Sequence, residues 1–196
     1  MINNIEHIIS LLEFQSDDDF YYLQVLKRKK ENPDLGSNSY LVKSYQINSV
    51  EYLNRKMPEI INLCEFHNAR AYFNLNRRSF RKIALEVGVK HAHQMKNQDY
   101  YSVRKIYDSV CGTSEGMNQK NRRWVVDIDT LDTNFLHEVL TFINEIEPTT
   151  EDRIQTVLDT PNGYHIISHG FNSKVFKDEY PEIDIQKNNP SVLYVS

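Results

Sequence analysis

The chain of 196 residues is 40% hydrophobic and has 2 cysteines, so it can bury a core without disulfide bonds, as an intracellular, reduced protein would. Its formal net charge of -4 excludes a protein that coats nucleic acid through bulk positive charge, although basic clusters remain at residues 27–30, 77–82 and 120–123. No apolar run approaches the roughly 18 residues of a membrane helix, and the N-terminus lacks the basic start of a secretion signal, which predicts a cytoplasmic protein without a membrane partner.

The N-terminal third alternates between helical and strand-like segments. Hydrophobic spacing predicts a helix over residues 1–13, a hairpin of strands over residues 20–26 and 40–47, and an amphipathic helix over residues 49–65. The basic cluster at residues 27–30 would lie at the mouth of the hairpin. It is either a solvated tip or a contact for a phosphate backbone.

Residues 69–76 alternate apolar and polar side chains, which predicts a strand with one wholly polar face. Arg70, Tyr72 and Asn74 lie on that face, which is either exposed to solvent or lines a cleft. If it lines a cleft, these side chains would contact nucleic acid through a positive charge, an aromatic ring and an amide.

An arginine pair, Arg77 and Arg78, follows this strand. It directly precedes a helix predicted over residues 80–97 with Ser79 as its N-cap, and the N-terminus of a helix favours anions. The pair is therefore a candidate contact for phosphates. The alternative is a solvated approach to the helix, and a further helix is predicted over residues 100–110.

Two aspartates lie on an apolar strand predicted over residues 122–129. Side chains alternate between the faces of a strand, so Asp127 and Asp129 share one face and start about 6.6 Å apart. Two carboxylates at this spacing can converge on one hard cation. The alternative is that they cap the turn into the helix predicted over residues 133–146.

A histidine follows on a predicted hairpin whose strands cover residues 153–158 and 163–169. The Pro-Asn-Gly sequence between them is a strong turn signal, and alternation along the return strand puts His165 on the same face as Gly163. The missing side chain of Gly163 would leave room for a ligand beside the histidine. The alternative is a packed, hydrogen-bonded histidine of the sheet.

In their order and spacing, the two motifs resemble the catalytic core of the archaeo-eukaryotic primase superfamily, the primase-polymerases of phages and plasmids. The first motif covers residues 124–129 and the second covers residues 160–167, so the resemblance extends over about the C-terminal half. It implies an α+β fold with an antiparallel sheet like that of RNA-recognition domains, packed by helices and by an N-terminal α/β unit. We expect one primase-like domain, with that unit in residues 1–115, the metal-binding unit in residues 116–196 and a flexible connection over residues 112–116.

The resemblance also implies roles for the site residues. Asp127 and Asp129 would hold Mg²⁺ or Mn²⁺, and His165 would contact the triphosphate of an incoming nucleotide. The family has a third acidic residue, for which Asp184 is the best candidate because it alternates with isoleucines, and Asp159 is a weaker one. Arginines would neutralise the triphosphate, because the guanidinium group grips phosphate with two parallel hydrogen bonds. The arginines near the motifs are Arg77, Arg78, Arg122 and Arg123.

Three functions are compatible with the sequence. The first is a primase-like or polymerase-like nucleotidyltransferase for phage or mobile-element replication in the host cytoplasm, using nucleoside triphosphates and a single-stranded DNA or RNA template, with a replicative helicase as an optional partner. The second is a metal-dependent phosphodiesterase or nuclease with His165 as general acid. The third is a non-catalytic protein of the same fold that binds nucleic acid or a protein partner. Three carboxylates around one point would favour metal chemistry, whereas an aspartate used as a helix cap would favour the binding protein.

Overall fold

The computed structural model describes residues 1–113, 116–150 and 152–196. Within these ranges the chain forms two antiparallel sheets and a set of helices, which confirms the α+β class. The strands are β1 (Ile2–Asn3), β2 (Asp19–Arg28), β3 (Ser39–Ile47), β4 (Arg70–Phe73), β5 (Arg78–Ser79), β6 (Arg123–Ile128), β7 (Ile154–Thr160), β8 (Gly163–His169), β9 (Asp184–Gln186) and β10 (Ser191–Val195). The α-helices are α1 (Ile5–Ser10), α2 (Val50–His67), α3 (Phe80–Lys96), α4 (Ile106–Gly112), α5 (Thr133–Glu145) and α6 (Ser173–Glu179), and a 3-10 helix covers Ser102–Lys105.

The C-terminal strand connects the two halves of the chain. The first sheet has the strand order β1-β10-β4-β2-β3, with β5 also paired to β2, and the second sheet has the order β7-β8-β6-β9. The division expected at residue 115 therefore does not separate the two sheets, because β10 returns to the N-terminal sheet and lies between β1 and β4. Two residues of the connection expected at that division, Ser114 and Glu115, lie outside the described residues.

Buried side chains on alternating faces of the strands hold the sheets and helices together. Along β2, Leu23 and Val25 pack with α1 and α2, whereas Tyr22 packs with α3 and α4. Along β6, Val125 belongs to the core of the first sheet, whereas Val126 packs against α5 and α6. The second sheet therefore lies between its own helices and the first sheet, and one of its faces is directed towards the first sheet.

Local signals account for many of the element boundaries. Ser49, Ser79 and Asp132 are the N-caps of α2, α3 and α5, and each side chain accepts hydrogen bonds from backbone N–H groups of the first turn. The hairpin of β7 and β8 has a two-residue loop closed by the pair Thr160 and Gly163. These helices, this hairpin and the hairpin of β2 and β3 are confirmed predictions.

Other boundaries differ from the sequence-based expectation. Helix α1 is shorter than the helix predicted over residues 1–13, because the first residues pair with β10 as a strand. Strand β4 ends at Phe73 instead of continuing to residue 76, because the following segment turns towards the second sheet. There the Asn76 amide accepts a hydrogen bond from Arg123 N at 2.7 Å and donates one to Arg123 O at 2.9 Å. Helix α6, with Asn172 as its N-cap, was not expected from the sequence.

Both cysteines are buried free thiols, Cys64 in the core of the first sheet and Cys111 beneath α3. Burial raises the pKa of each thiol to about 12, because the thiolate would lose its hydration. Both thiols are therefore protonated at neutral pH and serve as apolar core groups.

Candidate functional site

The strand register places an aspartate, a second aspartate and a histidine in one row across the second sheet. Asp127 on β6 is directly opposite His165 on β8 and directly opposite Asp184 on β9. Residues that are directly opposite in antiparallel strands point to the same face. Val125 and Ile167 share that face by alternation and pack in the core of the first sheet, so the row of polar side chains is directed towards the first sheet.

His165 is held from both ring nitrogens. Its Nε2 lies 3.2 Å from Asp127 Oδ1, and its Nδ1 lies 2.7 Å from Oγ of Ser191, a fully buried residue at the start of β10. Because an ionised carboxylate only accepts hydrogen bonds, Nε2 is the donor to Asp127, and the Ser191 hydroxyl, which can donate or accept, is the partner of Nδ1. The His165 side chain is 11% exposed and the Asp127 side chain is 26% exposed, so both can be reached from the surrounding cavity.

The acidic residues near this row are connected by an amide. Gln186 Nε2 lies 3.4 Å from Asp127 Oδ2 and 3.0 Å from Asp184 Oδ2, so the donor group lies between the two carboxylates. Asp129 is exposed, one residue beyond the end of β6. Helix α5 is capped by Asp132, so neither Asp127 nor Asp129 serves as its cap.

The donor types fit the expected Mg²⁺ or Mn²⁺, because both ions prefer oxygen ligands and the site offers the carboxylates of Asp127, Asp129 and Asp184. Among the described residues, however, no three histidine, cysteine, aspartate or glutamate side chains are grouped closely enough to hold a metal ion. The convergence of three carboxylates that would favour metal chemistry is therefore absent from these side-chain positions. Instead, the Gln186 amide group lies between the carboxylates of Asp127 and Asp184 and donates a hydrogen bond to each.

Asp127, Asp129 and His165 open into a cavity of about 570 Å³ between the two sheets, which we call the cleft. The hairpin loop at Pro161 and Asn162 also lines the side that belongs to the second sheet. The residues of the first sheet and its hairpin that line the opposite side include Arg28, Lys30, Arg70 and Tyr72. One wall of the cleft is thus acidic, and the other carries positive charge and an aromatic ring.

The basic wall is ordered by its own contacts. Arg28 Nη1 donates to the Tyr72 hydroxyl at 3.3 Å, and Arg70 Nη2 donates to Glu31 Oε1 at 2.5 Å. Arg70 Nε is buried and has no hydrogen-bond partner among the described residues. Both arginines thus contact groups on their own side of the cleft, and Arg70 Nε remains available as a donor.

Asn74 and the Arg77-Arg78 pair do not line the cleft. Arg77 is 4% exposed and forms an ion pair with the buried Asp19 at 3.3 Å. Arg78 is fully buried on β5, where its Nε donates to Cys111 O at 3.0 Å. Asn74 is buried as well. The prediction of a solvated approach to the helix is therefore wrong, because the pairing of β5 with β2 buries Arg78 and the ion pair with Asp19 buries Arg77.

Arg122 and Arg123 are also outside the cleft. Together with Arg77, they line a second cavity near the start of β6, whereas Asp127 lies near the end of that strand. Of the predicted triphosphate contacts, His165 thus lines the cleft, whereas Arg77, Arg122 and Arg123 line the second cavity. The positive charge of the cleft comes from Arg28, Lys30 and Arg70 instead.

The expected room for a ligand beside Gly163 is not present. An added Cβ at Gly163 would lie 1.9 Å from Ile128 O and 2.8 Å from Thr130 N. The missing side chain therefore makes room for the backbone of the segment that carries Asp129, and it allows β8 to lie directly against the end of β6.

Sequence reasoning missed several residues of the site. Ser191 and Gln186 lie on short C-terminal strands whose partners are distant in sequence, and neither belongs to a recognisable motif. Arg28 and Lys30, in contrast, belong to the basic cluster at residues 27–30, for which a phosphate contact was one interpretation.

No helix among the described residues combines the length and apolar character needed to cross a membrane. In comparisons with known proteins, no family model, no curated protein and no solved structure matches this chain. The geometry of the cleft and the two sequence motifs are therefore the basis for a functional proposal.

Proposed function

We propose that the chain is a primase-polymerase-like nucleotidyltransferase that acts on nucleoside triphosphates and a nucleic-acid template during phage or mobile-element replication. The observation that supports this proposal best is the division of charge across the cleft. Asp127 and His165 are in contact on one wall, and Arg28, Arg70 and Tyr72 lie on the other. A nucleoside triphosphate needs oxygen ligands for its divalent cations, positive charge for its phosphates and a ring on which its base can stack.

Asp127, Asp129 and Asp184 are the residues that would hold the divalent cations. Two such ions activate the attacking hydroxyl and stabilise the leaving pyrophosphate. For Asp127 and Asp184 to act together, the Gln186 amide would leave its position between them and give up a 3.0 Å hydrogen bond to Asp184 and a longer one, at 3.4 Å, to Asp127.

His165 would bind the triphosphate through its Nε2–H. Nε2 faces Asp127 when no nucleotide is present, and Ser191 holds the ring by its other nitrogen. Arg70 and Arg28 would neutralise the phosphates from the opposite wall, and the Tyr72 ring would stack on the base.

The test compares nucleotide binding and primer synthesis in the wild-type protein and in a variant that lacks two carboxylates of the acidic wall. We expect the wild-type protein to bind a fluorescent nucleoside triphosphate in the presence of Mn²⁺ and to extend primers on a single-stranded template. Asp127→Asn with Asp129→Asn should reduce both activities by at least about 100-fold, because the neutral amides cannot replace two carboxylate ligands. Asp178→Asn with Glu179→Gln is the matched control, since both side chains are exposed on α6 outside the cleft and the control removes the same number of charges. Equal Mn²⁺-dependent nucleotide binding in the double mutant and the control would refute the proposal.

One observation favours a second candidate, a non-catalytic protein of this fold that binds nucleotides or nucleic acid. The carboxylates of the described residues are not grouped as a metal site, and the Gln186 amide already donates hydrogen bonds to Asp127 and Asp184. This candidate predicts that ligand binding is unchanged by removal of divalent ions with a chelator. It also predicts no nucleotide incorporation on any template.

A further inference from the structure

Helix α3 has an apolar face that no other part of the described chain covers. Of its 17 residues only Ile83 is buried, and Ile83 packs beneath the helix with side chains of β2 and α4. Leu85 and Val89 are each 64% exposed, and Ala92 is exposed as well. Five of the eleven large hydrophobic side chains that are exposed among the described residues lie within residues 85–101. Such a concentration differs from the scattered apolar residues of an ordinary surface and marks an interaction site.

Helical geometry aligns three of these side chains in one stripe. At about 100° per residue, Leu85, Val89 and Ala92 point within about 60° of one another, and we call these three residues the α3 stripe. Ile83 points to the opposite side of the helix, about 160° from Leu85. Gly88 borders the stripe, and an added Cβ at Gly88 would meet no atom within 4 Å. Because Gly88 and Ala92 project so little, the backbone of another helix can approach this face to the usual interaxial distance of about 8–10 Å.

Each end of the α3 stripe carries a cation. Arg81 lies one turn before the stripe and Lys96 lies one turn after it, about 22 Å apart along the helix axis. Both side chains are exposed, and neither forms an ion pair among the described residues. Asp18, near Arg81, already accepts hydrogen bonds from the Ser79 hydroxyl and from the Arg81 backbone. Glu86, the one acidic residue of α3, is half-buried and points about 100° away from the stripe. The exposed face of α3 is therefore apolar in its middle and positive at both ends.

This charge pattern decides between three kinds of occupant. In a two-fold antiparallel pair of α3 helices centred on the stripe, Arg81 of one copy would lie opposite Lys96 of the other at both ends, and like charges so placed are destabilising. A membrane surface binds a helix through a large buried apolar area, of which Leu85 and Val89 supply little. An acidic amphipathic helix of another protein matches both features. Its apolar face would cover the stripe, and its carboxylates would meet the two cations in either orientation.

We propose that the α3 stripe docks an amphipathic helix of a partner protein that carries acidic residues at both ends of its apolar face. About four turns of helix span the distance between Arg81 and Lys96. An interface of this length buries less than about 1,200 Å², which is the size of a transient protein contact. The stripe lies outside the cleft, so the inference goes beyond the proposed function and holds whether or not the cleft performs chemistry.

The test is fluorescence anisotropy of a labelled synthetic helix with the full chain. The probe has about 18 residues, or about 27 Å of helix, with leucine and alanine along one face and glutamates at both ends. A second probe has lysines in place of the glutamates. We expect the glutamate probe to bind at least about tenfold more tightly than the lysine probe at low salt, because its charges complement both cations. Added salt should reduce this preference, because it screens exposed charges.

One pair of variants tests the apolar contact. Leu85→Ser with Val89→Ser should weaken binding of the glutamate probe by at least about tenfold, because it removes both large side chains of the stripe. Leu131→Ser with Val175→Ser is the matched control, since it removes an exposed leucine and an exposed valine outside α3. The control should bind the probe as the wild type does.

A second pair of variants tests the charges. Arg81→Glu with Lys96→Glu should reverse the preference, so that the lysine probe binds more tightly than the glutamate probe. Loss of folding would weaken both probes and could not produce such a reversal. Arg122→Glu with Lys174→Glu is the matched control, since it makes the same change of net charge at exposed residues outside α3, and it should keep the preference of the wild type.

Several outcomes would overturn the inference. Equal binding of the two probes by the wild type is one, and equal effects of the α3 variants and their controls is another. A dimer in analytical ultracentrifugation that Leu85→Ser with Val89→Ser dissociates would show that a second copy occupies the stripe. Binding to phosphatidylserine vesicles that the same variant loses, without binding of the glutamate probe, would show that a membrane surface occupies it.

Discussion

Replacing Gly163 with alanine tests whether the close approach of β8 to β6 positions the acidic wall of the cleft. The new Cβ would lie 1.9 Å from Ile128 O, and ordinary contact begins at 3.4 Å, so the backbone has to move by about 1.5 Å. Overpacking of a buried site costs about 1–3 kcal/mol, and the upper end applies because the obstacle is backbone and not a flexible side chain. For a chain of this length, about 3 kcal/mol lowers Tm by about 6–12 °C.

The assay is thermal unfolding followed by circular dichroism, together with Mn²⁺-dependent nucleotide binding at a temperature where the variant is folded. We expect Tm to fall as stated and nucleotide affinity to fall as well, because the displaced segment carries Asp129. Gly88→Ala is the control, and it should change Tm in the opposite direction. Gly88 lies within α3, and no atom lies within 4 Å of an added Cβ, so the higher helix propensity of alanine should raise Tm by about 2–4 °C. An unchanged Tm in Gly163→Ala would refute the packing argument.

Two further predictions concern a hydrogen bond and a pKa. Ser191→Ala leaves Nδ1 of the site histidine without its 2.7 Å partner, so nucleotide affinity should fall about fivefold. The chemical shift of Nδ1 should change, while Asp127 still accepts the hydrogen bond from Nε2; an unchanged ring spectrum would contradict the role of the serine. Hydrogen bonds, first of all from Lys43, lower the pKa of Glu59 to about 2 from an ordinary value of 4.5. A depressed carboxyl pKa stabilises the fold above the unfolded pKa, and this contribution is lost as the pH falls from about 4.5 towards 2. Glu59→Gln should therefore reduce the difference in the free energy of unfolding between pH 6 and pH 3, measured by denaturant titration. The reduction should be less than about 1 kcal/mol, because the Glu59 side chain is 36% exposed. An equal pH dependence in the variant and the wild type would contradict this prediction.

The sequence alone determined the elements whose signals are local. Ser49 and Ser79 begin their helices because their hydroxyls satisfy backbone N–H groups of the first turn, and this depends only on neighbouring residues. The two-residue loop closed by Gly163 and the alternation along β6 are equally local. These local signals predicted that Asp127 and His165 lie on strands with their side chains on the same face of the sheet, and the observed pairing of Asp127 with His165 confirms this.

The tertiary structure alone decided which residues meet across the chain. Ser191 reaches His165 because β10 inserts between β1 and β4, and no pattern near Ser191 indicates such a partner. Arg77 and Arg78 do not lie in the cleft, because the chain is buried where β5 pairs with β2. There Arg77 forms an ion pair with Asp19, and Arg78 donates to the backbone carbonyl of Cys111. Strand pairing between distant segments depends on the packing of whole sheets and not on the sequence next to each residue. The set of residues that lines the cleft is therefore known only from the folded chain.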